Sequence, residues 1–139
     1  MYTKILFPTD GSPHSERTLA YVKDLAQKFD AEVVVFSAYH YIPEYVSSSD
    51  AERMLQGARA SSQAIVDGMA QELRAAEVEV KTMVDEGPAA KEILSVANTE
   101  GCDLIVLGAK GAGGITDVLL GSVSLRVLTA AAVPVLVVY

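Results

Sequence analysis

Half of the chain's ten glycines, Gly108, Gly111, Gly113, Gly114 and Gly121, fall within one stretch of sequence. The order is Gly108, two residues, Gly111, nine residues, then Gly121-Ser122. Directly before it stands Leu104-Ile105-Val106-Leu107, a short apolar run that reads as a buried strand. Directly after it, Ser122 opens a series at helical period, Val123, Val127, Leu128 and Ala131. Glycines therefore join a strand to the start of a helix. Without Cβ atoms such a backbone turns through positive φ and lies close against a ligand, and the first amides of a helix have no intrahelical acceptor and carry partial positive charge. A loop of this kind suits an anion, typically a phosphate.

A plain strand-to-helix turn needs fewer glycines, and ordering so flexible a loop costs entropy that a bound phosphate chain recovers. Two familiar cradles do not match. A P-loop ends in Gly-Lys-Ser/Thr, whereas no lysine separates Gly121 from Ser122. The dinucleotide fingerprint follows the first strand and needs a small residue at position 116, where Thr116 stands after the fourth strand.

The elements that must position this loop alternate along the chain. A first strand is expected from Thr3 to Pro8, and Ser12-Pro13 supplies a helix N-cap and first-turn proline, with Leu19, Val22, Leu25, Ala26 and Phe29 on one face. Glu32 to Ala38 reads as a second strand, whose Val33-Val34-Val35-Phe36 run is apolar enough to be buried on both faces. After a loop from Tyr39 to Ser48, Ser49 and Glu52 form a capping box for a long helix with Leu55, Ala58, Ser62, Ile65, Met69 and Leu73 on its inner stripe. A third strand, Glu79 to Val84, precedes a helix begun at Gly87-Pro88 with Ile93, Leu94 and Ala97 inward. The fourth strand is Leu104 to Leu107, a helix starts at Ser122, and Pro134 stops it before a fifth strand, Val135 to Tyr139. Strand and helix alternate with no tight hairpin, which predicts an α/β fold: a parallel sheet with helices on both faces.

At 139 residues a single domain, 1–139, is expected. Half the residues are hydrophobic, yet the apolar runs are too short to span a membrane, and the N-terminus lacks a cleavable signal's apolar core, so a cytoplasmic location is expected. The one cysteine, Cys102, permits no internal disulfide. A net charge of -7 with no basic cluster disfavours nucleic acid.

The pattern Gly108-x2-Gly111-x9-Gly121-Ser122, followed by Val123-Ser124 and closing on Val133-Pro134-Val135-Leu136-Val137-Val138, resembles the nucleotide-binding branch of the universal stress protein family. The opening Lys4-Ile5-Leu6-Phe7-Pro8-Thr9-Asp10-Gly11-Ser12 is similar to that family's first strand and loop. The resemblance covers the whole chain and implies a doubly wound five-stranded sheet of order 3-2-1-4-5. In that order the chain reverses between strands one and four, where Asp10 and Gly108 face each other across a ligand crevice. There the amides of Gly111, Gly121, Ser122 and Val123 would surround the phosphates, with hydroxyls of Ser122 and Ser124 adding hydrogen bonds. Gly108 would admit the ribose; Asp10 would accept from a ribose hydroxyl or hold a metal-bound water, or else serves as a turn and capping residue. The resemblance further implies that Pro8 and Thr9 shape the nucleoside wall, that the Ala38 backbone meets adenine, and that Leu107 packs on the base. Val84 either closes that pocket or is a core valine. Lys110 and Arg126 either offset phosphate charge or are solvated cations, and neither His14 nor His40 is assigned to catalysis.

The implied ligand is ATP, with ADP and AMP as alternatives and Mg²⁺ as counter-ion on the phosphates. Rapid hydrolysis needs a positioned water, a base and matched cations, which the chain does not pattern. The chain therefore reads as a nucleotide binder whose occupancy biases shape or assembly, and the resemblance implies a regulatory stress-response role for it. A slow hydrolase or nucleotidyl-transfer enzyme is the second reading, weakened because Thr9-Asp10-Gly11-Ser12 stands where a Ser-Gly-Gly loop belongs; a ligand-free interaction module is the third. The final strand, an edge in this order and uncharged, predicts a homodimer through that strand.

Overall fold

The computed structural model describes residues 1–39, 47–110 and 120–139. In chain order the elements are β1 (Lys4–Pro8), α1 (Pro13–Phe29), β2 (Glu32–Tyr39), α2 (Ser48–Ala75), β3 (Val80–Glu86), α3 (Ala89–Thr99), β4 (Leu104–Gly108), α4 (Ser122–Ala130) and β5 (Val135–Val138). The strands form one sheet of order β3-β2-β1-β4-β5. Every pairing is parallel, with Leu6 opposite Val34 on one side and Ile105 on the other. This is the expected doubly wound arrangement, reversing between β1 and β4.

Alternation along each strand sorts the core into two layers. Ile5, Phe7, Val33, Val35, Leu104 and Val106 point toward α1 and α2, where Leu19, Val22, Val66, Met69 and Leu73 cover them. Leu6, Val34, Phe36, Ile105 and Leu107 point the other way, under Ile93, Val96 and Ala97 of α3 and Val127 of α4. Residues 33–36 are each 0% exposed, as a strand covered on both faces requires.

Several local expectations need correction. The N-cap of α2 is Ser47, whose hydroxyl accepts from the Asp50 amide at 3.3 Å, so Ser49 and Glu52 lie inside the helix and form no capping box. Its buried stripe is Ser62, Val66, Met69, Ala70 and Leu73, while Leu55, Ala58 and Ile65 are only half-buried. The cause is length: 28 helical residues span about 42 Å, whereas the 8 residues of β2 span about 26 Å, so the first turns of α2 overhang the sheet. On α4 only Ser124 and Val127 are buried; Val123 and Leu128 are exposed, because the helix seats on the sheet by one narrow stripe. Phe29 ends α1 at the surface, edge-on to Tyr2 with ring centroids 5.3 Å apart.

The amino ends of the strands are tied by polar contacts. The Asp103 carboxylate accepts from the Thr3 amide and hydroxyl and from the Lys4 amide at 2.9 to 3.1 Å. Beside it, Lys4 pairs with Glu32 and Glu100, and Glu100 also receives Lys81 at 2.7 Å. That contact raises the Lys81 pKa and lowers that of Glu100, in each case chiefly through their hydrogen bond. No helix among the described residues is long and apolar enough to cross a membrane.

Candidate functional site

At the opposite rim, the carboxyl ends of β1 and β4 feed chains that leave to opposite faces of the sheet, α1 to one and α4 to the other. Between them lies an open cleft of about 830 Å³, within the ~300–1,000 Å³ common for small-molecule sites. Pro8, Thr9, Asp10, Ala38, Leu107, Gly108, Gly121, Ser122, Val123 and Ser124 all line it. Gly111, Gly113 and Gly114 lie outside the described residues, as do His40, Tyr41, Ile42 and Tyr45 of the loop after β2.

The β1–α1 connection is a compact hydrogen-bonded turn. The Thr9 amide donates to the Phe36 carbonyl at 2.8 Å, extending the sheet by one bond. Its hydroxyl donates to Ser15 Oγ at 2.9 Å and accepts from the Gly11 amide. Asp10 Oδ1 accepts from the Ser12 amide at 2.9 Å and from Ser15 Oγ at 3.4 Å, so Asp10 performs the turn role while also bordering the cleft. Gly11 sits at φ +75°, and a Cβ there would come within 2.9 Å of Ile65 Cγ1. The chain at this point accepts only glycine without strain.

Across the cleft, Gly108 closes β4. A Cβ on it would meet Thr18 Oγ1 at 3.2 Å and the Lys110 carbonyl at 3.4 Å, so the glycine permits close packing of strand end against α1. The Ser124 hydroxyl donates to the Gly108 carbonyl at 2.7 Å while the residue lines the cleft. The Gly121 amide donates to the Ala109 carbonyl at 2.6 Å. Gly121 is the N-cap of α4, extended at φ -71°, ψ 163°, and has no side chain with which to cap. The first intrahelical bond runs from the Leu125 amide to the Gly121 carbonyl. The amides of Ser122, Val123 and Ser124 therefore have no acceptor among the described residues, and the first turn of α4 carries no acid.

Other expectations sort by position. Val84 packs in the core layer beside α2 and does not line the cleft, so the core reading holds. Arg126 does not line it either, whereas Lys110 and His14 do. The sequence reading missed the wall supplied by α2, where Ala58, Ser61, Ser62 and Ile65 line the cleft around the point at which the helix passes the sheet edge. Their spacing marks one helix face, but small residues on such a face read as core contacts. Asp10 is the one acidic side chain lining the cleft among the described residues, and no group of three metal-ligating side chains occurs among them.

Known proteins share this fold. The model of the universal stress protein family matches residues 1–139. Universal stress protein MJ0531 of Methanocaldococcus jannaschii is 36% identical over an aligned length of 143, covering 99% of this chain and 82% of that protein. The solved structure of MJ0577, another universal stress protein of that organism, superposes with a TM-score of 0.89 at 29% identity, covering 99% of this chain and 96% of the other. A universal stress protein solved in complex with cAMP gives a TM-score of 0.76 at 24% identity, over 99% and 97% of the two chains, a likeness of fold. With the family model matched from end to end and a relative above one-third identity, the chain belongs to the universal stress protein family.

Proposed function

We propose that this protein binds an adenine nucleotide, ATP first with ADP or AMP as alternatives, and that occupancy regulates its shape or assembly. The observation that carries the reading is the uncapped start of α4: three adjoining amides, Ser122 to Ser124, bordering a cleft and lacking acceptors among the described residues. Such a group concentrates positive potential and costs free energy to leave unbonded, and phosphate oxygens satisfy both conditions. On the nucleoside side, Gly108 admits the ribose, Pro8 and Thr9 form a wall, the Ala38 backbone meets the base edge, and Leu107 packs on its face. The fold of a protein solved with cAMP is compatible with this reading.

Mg²⁺ fits as a counter-ion on the phosphates, because one carboxylate with waters and phosphate oxygens is an ordinary Mg²⁺ environment and Asp10 supplies the carboxylate. Its chemistry there is charge neutralisation. Asp10, held by Ser12 and Ser15, would be the carboxylate nearest such an ion among the residues lining the cleft, and any turnover would be slow. Assembly follows from the edge strand. Leu136 on β5, Tyr139 just after it, and Val123, Leu125 and Leu128 on α4 are exposed, and we propose that β5 pairs with its symmetry mate in a homodimer.

Calorimetric titration of the purified protein, first stripped of nucleotide, tests the ligand; light scattering tests the dimer. Saturable binding of ATP, ADP or AMP, with guanine nucleotides weaker, is expected. No adenine nucleotide bound at millimolar concentration would remove the assignment, and a monomeric mass would remove the dimer.

A further inference from the structure

Beside the main cleft lies a smaller recess of about 150 Å³, lined by His14, Arg17, Ala109, Lys110, Val138 and Tyr139. His14 and Lys110 border both spaces, so the recess continues the cleft past the strand ends. Its floor is fixed: the Ala109 amide donates to the Val138 carbonyl at 2.8 Å, joining β4 to β5. His14 and Arg17 stand three residues apart in the first turns of α1 and so share a face.

The charge is unusual for this molecule. The chain carries -7 overall, yet three nitrogenous side chains and no acidic side chain line the recess. Arg17, like Lys23, Arg53, Arg59, Arg74, Lys91 and Arg126, forms no ion pair among the described residues, so its guanidinium is not committed to a carboxylate there. A guanidinium presents a planar fork that matches two oxygens of a phosphoryl group, and a rigid floor fixes the distance at which it does so. The space holds a phosphoryl group and is too small for a nucleoside.

We propose that this recess receives the terminal phosphoryl group of a nucleoside triphosphate lying in the main cleft, with Arg17 as its principal contact and His14 and Lys110 flanking it. The inference rests on the nucleotide reading above and deepens it: the α4 amides hold the inner phosphates, and the recess sets preference for a triphosphate over a monophosphate. Chain length of the phosphate, rather than the base, is what Arg17 reads.

The test is calorimetric titration of the intact protein and its Arg17→Gln variant with ATP plus Mg²⁺ and, separately, with AMP. Arg17 is exposed on α1, so the variant folds, which circular dichroism verifies. Expected is an ATP affinity lower by about tenfold in the variant, the size of one charge-assisted hydrogen bond, with AMP unchanged. Arg17→Lys, which keeps charge but loses the fork, recovers part of the loss. Equal effects on ATP and AMP, or no effect on either, overturn the recess assignment and leave the nucleotide reading standing. Failure of the unsubstituted protein to bind any nucleotide overturns that reading and this one together. Inorganic phosphate alone is the third arm: if it binds through Arg17 while ATP is indifferent to the substitution, the recess serves a free oxyanion and the proposal falls.

Discussion

Replacing Ser122 with proline removes one amide hydrogen from the start of α4 and little else. Ser122 occupies the first helical position after the N-cap Gly121, where proline is well tolerated because its missing N–H has no intrahelical partner and its φ is already helical. Proline also restricts the residue before it to extended backbone, and Gly121 is extended at φ -71°, ψ 163°. Helix and fold should therefore survive, with unfolding free energy within about 0.5 kcal/mol of the parent. Binding should not. A hydrogen bond to a charged group contributes about 1.5–3 kcal/mol net, so losing one amide from a phosphate cradle weakens nucleotide binding by roughly ten- to a hundredfold. Calorimetric titration with ADP reads the affinity, urea unfolding reads the fold, and Ser122→Ala, which keeps the amide and loses the hydroxyl, is the control. An S122P protein that is folded and binds ADP as tightly as the parent would refute the assignment of phosphate to these amides. If S122P instead unfolds, the proline-compatible geometry at Gly121 is wrong.

Gly11→Ala should destabilise by about 2–3 kcal/mol in urea unfolding, summing left-handed backbone strain of about 1–2 kcal/mol with the crowding of Ile65 at 2.9 Å; a cost below about 0.5 kcal/mol contradicts both. Cys102 is buried, which pushes its thiol from 9.0 up to about 11, so at pH 8 its thiolate fraction is about a hundredfold below that of an unshifted thiol. Native protein should accordingly resist a thiol reagent that labels it at once in denaturant; fast native labelling refutes the burial. At Asp103 burial pushes the carboxyl up, but hydrogen bonds from Thr3 and Lys4 outweigh it and hold the group below its ordinary 3.8. A depressed carboxylate stabilises the fold above that value and loses its contribution as pH falls through its folded pKa. Asp103→Ala should thus cost about 1 kcal/mol at pH 7, after allowance for solvent screening, with the gap to the parent closing below pH 3.8; a gap that persists or widens there is the wrong sign.

The strands and helices were legible in the sequence because their signals are local. Residues 33–36 could only be a strand buried on both faces, and Ser12-Pro13 marks the start of α1. Strand order was not legible from periodicity; only the paired resemblance of the β1–α1 loop and the glycine pattern indicated it. Misreadings fell where two similar residues compete for one role. Among Ser47, Ser48 and Ser49, composition does not say which hydroxyl caps α2; Ser47 does so because the Asp50 amide reaches it. That the amide of Gly121 and the hydroxyl of Ser124 each meet a carbonyl just past or at the end of β4 depends on how α4 docks, which the local sequence does not tell. The α2 wall of the cleft escaped notice because overhang is a property of relative length, which no single helix announces.

The ties of Asp103, Lys4, Glu32, Lys81 and Glu100 all lie at the amino rim of the sheet, and the cleft lies at the carboxyl rim. Anchorage and recognition are thereby housed at opposite poles of one slab. Substitutions that retune specificity at one pole leave the moorings at the other intact, so a lineage using this scaffold can exchange ligands without first rebuilding its foundations.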